Sequence, residues 1–259
     1  MIKEWNIKIT LLSTGLLLKK YAEELLTWVD DIIVSLDGPD EVHDHIRNIP
    51  GSFAKLREGI AVLKERQPRY HISARSVIHR LNFKTWPQLI EAAKDLSLDS
   101  ISFLPADVSS HAFNREVLWG SNRQNEVSIA EEELPLLETI AEAIIDGFAP
   151  DFESRFIAES PNKLRAIVAY YKAVHGLGNF PTKKCNAPWV STVIEADGAV
   201  KPCFFHAAQG NIHQHSLLSI LNNEAAVRFR KTLDMTQNET CRRCVCSLHL
   251  SPRLNPARS

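Results

Sequence analysis

Up to residue 104 the apolar positions switch repeatedly between a spacing of two and a spacing near 3.6. Residues 8–13 read as the end of a strand. After Gly15, the run 16–26 is rich in Leu, Lys, Ala and Glu and predicts a helix. Residues 31–37 predict a second strand, closed by Gly38-Pro39. A helix over 52–65 is expected to be capped by Ser52 and to stop before Pro68. A strand over 70–78, a helix over 85–96 and a strand over 99–104 complete the series. Strands separated by helices of this length imply βαβ units and a parallel sheet.

Alternation within the strands distinguishes their faces. Ile32, Val34 and Leu36 share one face, and Asp31, Ile33, Ser35 and Asp37 the other. In the next strand Ile72, Ala74 and Ile78 oppose His71, Ser73, Arg75 and His79. A parallel sheet covered by helices on both sides would read as nearly continuous apolar runs. One polar face in two neighbouring strands instead implies an incomplete parallel (β/α) barrel around a polar ligand, with the site at the carboxyl ends of the strands. Beyond residue 107 the strand rhythm stops. Residues 129–145 and 162–175 predict helices, with Glu131, Glu132 and Glu133 as a solvated first turn, and 176–181 predicts a linker. The expected organisation is a partial barrel over 1–110, a helical connector over 111–180 and a small α+β cysteine module over 181–259.

Composition narrows the function classes. The 259 residues are 44% hydrophobic, enough for a sizeable core, and carry 30 Lys and Arg against 31 Asp and Glu. That balance gives no electrostatic reason to expect nucleic acid or an anionic membrane as partner. No apolar run approaches the roughly 20 residues that span a bilayer, and the first residues lack a signal-peptide core, so a cytoplasmic location is expected. Phe103, Phe113, Trp119 and Trp189 read first as packing residues, with a pocket-lining role as the alternative.

All five cysteines lie at or after residue 185. Clustering of that kind points to metal binding in a reducing compartment rather than to disulfides. Cys185 and Cys203 flank a segment whose Asp197-Gly198 predicts a type I′ hairpin, which would return the chain and let the two thiols approach. Cys241-Arg-Arg-Cys244 is a knuckle spacing in which two thiolates reach one metal, and Cys246 follows at once. The two pairs together can ligate an iron–sulfur cluster or a structural zinc, or be buried thiols with no metal; spacing does not separate the first two. Cys246 is either a spare thiol or a replacement for Cys244. His206 is placed to tune such a centre through a hydrogen bond.

Cys185-Asn-Ala-Pro-Trp189, 197–203 (Asp-Gly-Ala-Val-Lys-Pro-Cys), Gly210-Asn-Ile212, Ser216-Leu217, Arg228-Phe-Arg230 and Cys241-x-x-Cys244 together resemble the SPASM/twitch extension of radical S-adenosylmethionine (radical SAM) enzymes. The four-cysteine set is similar to the twitch form, which carries one auxiliary [4Fe–4S] cluster. Farther upstream, 13–18 and Ser35-Leu-Asp-Gly-Pro39 with His43, Asp44 and Arg47 look like the third and fourth βα units of the radical SAM partial barrel. The resemblance implies that Ser35 contacts the cofactor, with Asp37, Arg75 and Ser13 as further cofactor-side candidates.

One departure stands out. The CxxxCxxC that binds the S-adenosylmethionine-cleaving cluster in that family is absent from this sequence. On the resemblance, the chain begins near the family's third strand, S-adenosylmethionine binds only together with the missing segment, and the first strand becomes an exposed sheet edge. Two functions are expected from it. One is the C-terminal part of a radical SAM enzyme acting on a small-molecule or peptide substrate, its auxiliary cluster transferring an electron or positioning substrate. The other is a non-catalytic iron–sulfur protein serving a redox or binding partner.

Overall fold

The computed structural model describes residues 3–110, 112, 115 and 117–251. They form two compact units: 1–106 with 125–179, and 107–124 with 180–259. The stretch 111–180, expected as a connector, is thus divided between the two.

In the first unit, strands β1 (Thr10–Ser13), β2 (Asp31–Ser35), β3 (His71–Ile78) and β4 (Ser100–Pro105) form one parallel sheet in the order β1-β2-β3-β4. Helices α1 (Ala22–Trp28), α2 (Asp40–Arg47), α3 (Ser52–Arg66) and α4 (Trp86–Asp95) connect the strands. Burial follows the alternation read from the sequence: Ile32, Val34, Ile72, Ala74, Ile78, Ile101 and Phe103 are all essentially inaccessible. Leu56, Ile60 and Leu63 lie on one stripe of α3, and Leu89, Ile90 and Ala93 on one stripe of α4; all six are buried. Trp86 meets Phe103 edge to face at 5.3 Å.

Three local departures have physical causes. The first helix starts at Ala22, not near residue 16. A Cβ on Gly15 would stand 2.3 Å from Leu56, and one on Gly59 2.6 Å from Leu18. Those two glycines therefore let residues 15–18 lie directly on α3, and buried Leu18 anchors the loop outside any helix. Ser52 does not cap α3, whose N-cap is Gly51. Asp44 of α2 takes that role from a distance, accepting the Gly51 N–H at 2.5 Å, the Phe53 N–H at 2.8 Å and the Ser52 hydroxyl at 2.7 Å. His79 is buried rather than on the wet face, accepting the Leu81 N–H through Nδ1 at 3.2 Å. Burial first, then the Arg47 charge, hold its pKa down at about 4.

After α5 (Ser121–Val127), helices α6 (Leu134–Gly147), α7 (Ala149–Glu153) and α8 (Pro161–Val174) complete the chain of this unit. Buried Tyr171 of α8 donates its hydroxyl to the Ile78 carbonyl at 2.5 Å and accepts the Ala106 N–H at 2.9 Å, tying together the carboxyl ends of β3 and β4. The acidic turn before α6 is not merely solvated, because Glu133 pairs with Arg80 and Lys84, each at 3.0 Å. The two sheet edges differ. Residues 156–159 run along β4, with Ile101 N–H to Phe156 O at 2.7 Å and Ala158 N–H to Ile101 O at 2.9 Å. Among the described residues β1 pairs only with β2, and its Leu12 is 63% exposed.

The second unit holds short elements: α9 (Ala187–Val190), the antiparallel strands β5 (Val193–Ile194), β6 (Ala199–Lys201) and β7 (Gly210–Asn211), then α10 (Leu217–Leu221), α11 (Glu224–Thr232) and α12 (Glu239–Arg243). The hairpin is present but is not type I′, since Asp197 does not have a positive φ. Instead Gly198 N–H bonds to Glu195 O at 2.9 Å, and Gly198 alone takes the left-handed conformation at φ +84°. Asn211 fixes the loop by donating to the Asp197 carbonyl at 2.9 Å. Among the described residues no helix is long and apolar enough to cross a membrane.

Candidate functional site

The cysteine module is assembled largely by asparagines. Asn186, next to Cys185, donates through Nδ2 to Leu250 O at 2.7 Å and accepts the Leu250 N–H at 3.0 Å; its own N–H reaches Leu248 O at 2.7 Å. Those bonds hold the Cys185 segment against the chain that follows Cys246. Asn238 caps α12 by accepting the Cys241 N–H at 3.1 Å, which sets the direction of the knuckle. Asn223 caps α11 and donates to Gln209 O at 2.9 Å, binding the helical part to the end of the β-hairpin region.

Within this frame the thiols sense one another. Burial pushes the Cys241 thiol up to about 11, helped by Cys203 and Cys185 and opposed by the Lys183 cation. Burial likewise raises Cys244 to about 12, with Cys246 and Cys203 adding to it. Cys203 is raised by burial and by Cys185, while its sulfur accepts the backbone N–H groups of Phe205 and His206. Cys185, Cys203, Cys241 and Cys244 therefore share one electrostatic neighbourhood although they come from well-separated parts of the chain. Cys246 is tied locally: its N–H reaches Cys244 Sγ at 3.4 Å, and Cys244 Sγ donates to the Cys246 carbonyl at 3.1 Å.

Among the described residues, no three His, Cys, Asp or Glu side chains stand in a geometry that would itself hold a metal ion. The Cys244 thiol is turned to the Cys246 carbonyl, and thiols must lose their protons before they can ligate a metal. The donor chemistry, thiol sulfur with the Lys183 cation nearby, fits a thiolate-bound iron–sulfur cluster, as it would a four-thiolate zinc.

On the sheet, Ser35, Arg75 and Ser102 are register partners across β2, β3 and β4, on the side away from the buried core. Arg75 Nε is 3.4 Å from Ser102 Oγ, and that hydroxyl donates to Ala74 O at 3.2 Å. Glu159, which the sequence reading missed, accepts the Phe103 N–H at 3.0 Å. Burial pushes its carboxyl up to about 7 against the pull of that hydrogen bond and of Lys163 and Arg75. No periodic signal marks Glu159, because it lies in an irregular segment that docks on a strand edge.

The other two barrel candidates lie elsewhere. Ser13 pairs with Val34, on the covered side, and its Oγ accepts the Gly15 N–H at 3.1 Å. Asp37 is buried, with Arg47 Nε at 2.5 Å from its carboxylate, its N–H donating to His43 Nδ1 at 3.2 Å and its carbonyl accepting from Asn82 at 2.9 Å. Burial raises its pKa although Arg47 draws it down, and the same burial keeps His43 neutral, its pKa held at about 4. The Asp-Gly-Pro turn with its His and Arg is thus a buried brace at the end of β2. Of the aromatics, Phe103 is core, Trp119 lies under the Arg115 guanidinium at 4.3 Å, Trp189 is 45% exposed, and Phe113 lies outside the described residues.

Residues 185–245 match the family model of the SPASM iron–sulfur cluster-binding domain. The chain is similar to the cysteine-type anaerobic sulfatase-maturating enzyme of Clostridium novyi, at 23% identity over 223 residues, covering 82% of this chain and 54% of that protein. It is also similar to the antilisterial bacteriocin subtilosin biosynthesis protein AlbA of Bacillus subtilis, at 26% identity over 248 residues, covering 92% and 48%. The chain spans about half the length of these curated relatives. Among solved structures, native anSMEcpe with bound AdoMet and the Kp18Cys peptide superimposes with a TM-score of 0.56 at 15% identity, covering 92% of this chain and 65% of that one. Streptococcus suis SuiB bound to its precursor peptide SuiA gives a TM-score of 0.57 at 12% identity, covering 95% and 56%. At such identities the likeness is one of fold.

Proposed function

The chain has a radical SAM/SPASM-type architecture, and on that premise we propose that it is the C-terminal part of an enzyme that modifies a peptide, with one auxiliary [4Fe–4S] cluster on Cys185, Cys203, Cys241 and Cys244. The observation that carries this reading is the shared neighbourhood of those four thiols inside the segment matching a cluster-binding domain. The match ends at residue 245, which favours Cys244 over Cys246 as the fourth ligand. The peptides held by the two solved relatives support a peptide substrate here.

A cluster with four thiolate ligands supplies an electron-transfer centre with no open iron site, so relay or support of the substrate region is favoured over direct substrate ligation. This chain's own residues supply the rest. Asn186 and Asn238 orient the thiols. Arg75, Ser35 and Ser102 present a cation and hydroxyls that suit the carboxylate and hydroxyl groups of S-adenosylmethionine or of the substrate. Glu159, poised near neutrality beside them, can hold or release a proton at its carboxylate. A reducing compartment such as the cytoplasm suits five cysteines, none in a disulfide.

Anaerobic reconstitution followed by iron and acid-labile sulfide analysis tests this reading. One cubane per chain is expected; zinc without sulfide as the stable occupant would overturn it.

A further inference from the structure

His206 stands between two of the proposed ligands. Its Nε2 lies 3.4 Å from Cys241 Sγ, and the Cys203 sulfur accepts its backbone N–H. The ring is not left to find that position by chance. Phe229 of α11 meets it edge to face at 4.9 Å and 66°, and α11 is fixed in turn by the Asn223 cap and by Arg230, which donates to Leu221 O at 2.7 Å. A half-buried imidazole in a turn, with Nε2 near a sulfur and braced by an aromatic from α11, has more constraint than a surface histidine requires.

We infer that His206 is a positioning and tuning residue of the auxiliary cluster, donating Nε2–H to the Cys241 sulfur and so raising the cluster's reduction potential; this rests on the cluster assignment proposed above. A ligating Cys241 is a thiolate, which only accepts, so a hydrogen bond at this contact has the imidazole as donor. Donation to a ligand sulfur withdraws electron density from the cluster. It favours the reduced state, which carries one more negative charge, over the oxidised state. The Phe229 contact leaves the ring little freedom to turn away when the redox state changes, so the bond persists through the cycle.

The test is an EPR-monitored redox titration of the reconstituted full chain at one fixed pH, comparing wild type with His206→Leu and His206→Gln. Iron and sulfide content come first: a wild type without a cluster overturns the parent assignment and not this inference alone. With loading equal to wild type, His206→Leu is expected to shift the reduced-to-oxidised ratio at a given poise about tenfold towards oxidised, equivalent to about 59 mV for a one-electron couple. The amide of His206→Gln is expected to recover part of the shift. An unchanged potential in a fully loaded His206→Leu chain overturns the inference. If that variant fails to load, pulsed EPR of the wild type grown with nitrogen-15 histidine decides. A histidine nitrogen coupled to the reduced cluster supports the bond, and no such coupling overturns it.

Discussion

Replacing Glu159 by Gln isolates one half-buried proton. The carboxyl accepts the Phe103 N–H at 3.0 Å and its own backbone N–H and sits within reach of Lys163 and Arg75, yet burial outweighs all four and lifts its pKa from 4.5 to about 7. Because the folded-state value lies above the unfolded one, protonation favours the fold. The stabilising contribution is complete below about pH 4.5 and is lost as the pH rises through about 7. A shift of this size, at ~1.36 kcal/mol per pH unit, corresponds to about 3 kcal/mol between the two limits. Glutamine keeps an oxygen that can accept the Phe103 N–H but has no charge to desolvate. Relative to wild type, Glu159→Gln is therefore expected to be near neutral at pH 4.5 and more stable at pH 8, by up to about 3 kcal/mol. Urea denaturation of both chains across that range reads the difference directly. Parallel profiles, or a variant less stable at pH 8, would show that the carboxylate is solvated or strongly paired and would refute the reasoning.

Three further outcomes follow from the same structure. Single alanine substitutions at Cys185, Cys203, Cys241 and Cys244 should each abolish stable cubane binding, whereas Cys246→Ala retains it; iron and sulfide content after gel filtration reads this, and loss in Cys246→Ala with retention in Cys244→Ala would reverse the assignment. Tyr171→Phe strands the buried Ala106 N–H and Ile78 carbonyl and should cost about 1–3 kcal/mol in denaturant stability, a change under ~0.5 kcal/mol counting against it. Gly198→Ala combines a φ of +84° with a Cβ 2.6 Å from the His213 ring; it should cost more than ~1 kcal/mol and speed amide exchange of the β5–β6 hairpin, and unaltered exchange would contradict the packing.

What was legible in the sequence was what repeats along it. Alternation at Ile32 and Val34, then at Ile72 and Ala74, marks the covered face without any knowledge of partners, since a strand's side chains alternate by geometry. The cysteine-bearing segment likewise marked the stretch that matches a cluster-binding domain. Interactions between distant segments were not legible. Leu16–Tyr21 have good helix propensity, but Gly15 and Gly59 bring the loop onto α3, and packing of Leu18 outweighs propensity. Asp44 capping the following helix, and Glu159 closing a strand edge, each depend on a fold already formed. Strand parity put Asp37 beside Ser35, but parity holds only inside a strand. Past Ser35 the chain turns, and Asp37 enters the brace with His43, Arg47 and Asn82.

That brace and the Ser35–Arg75–Ser102 row have different demands, which explains how they can adjoin. The row stays in reach of solvent: Arg75 is exposed, and its one hydrogen bond within the row is a long one, 3.4 Å to Ser102 Oγ. In the brace Asp37 pairs with Arg47, His43 and Asn82, while buried His43 Nε2 has no hydrogen-bond partner among the described residues, a deficit that costs roughly 1–3 kcal/mol. Asp37 with a raised pKa and His43 with one near 4 bear the cost of dehydration, which Arg47 offsets for the first and deepens for the second. Ser35 precedes Asp37 by two residues, so rigidity at the brace is transmitted to the last turn-side hydroxyl of β2 through backbone alone. The arrangement puts the cost of dehydration in buried residues beyond the end of β2 and leaves Arg75 exposed to water.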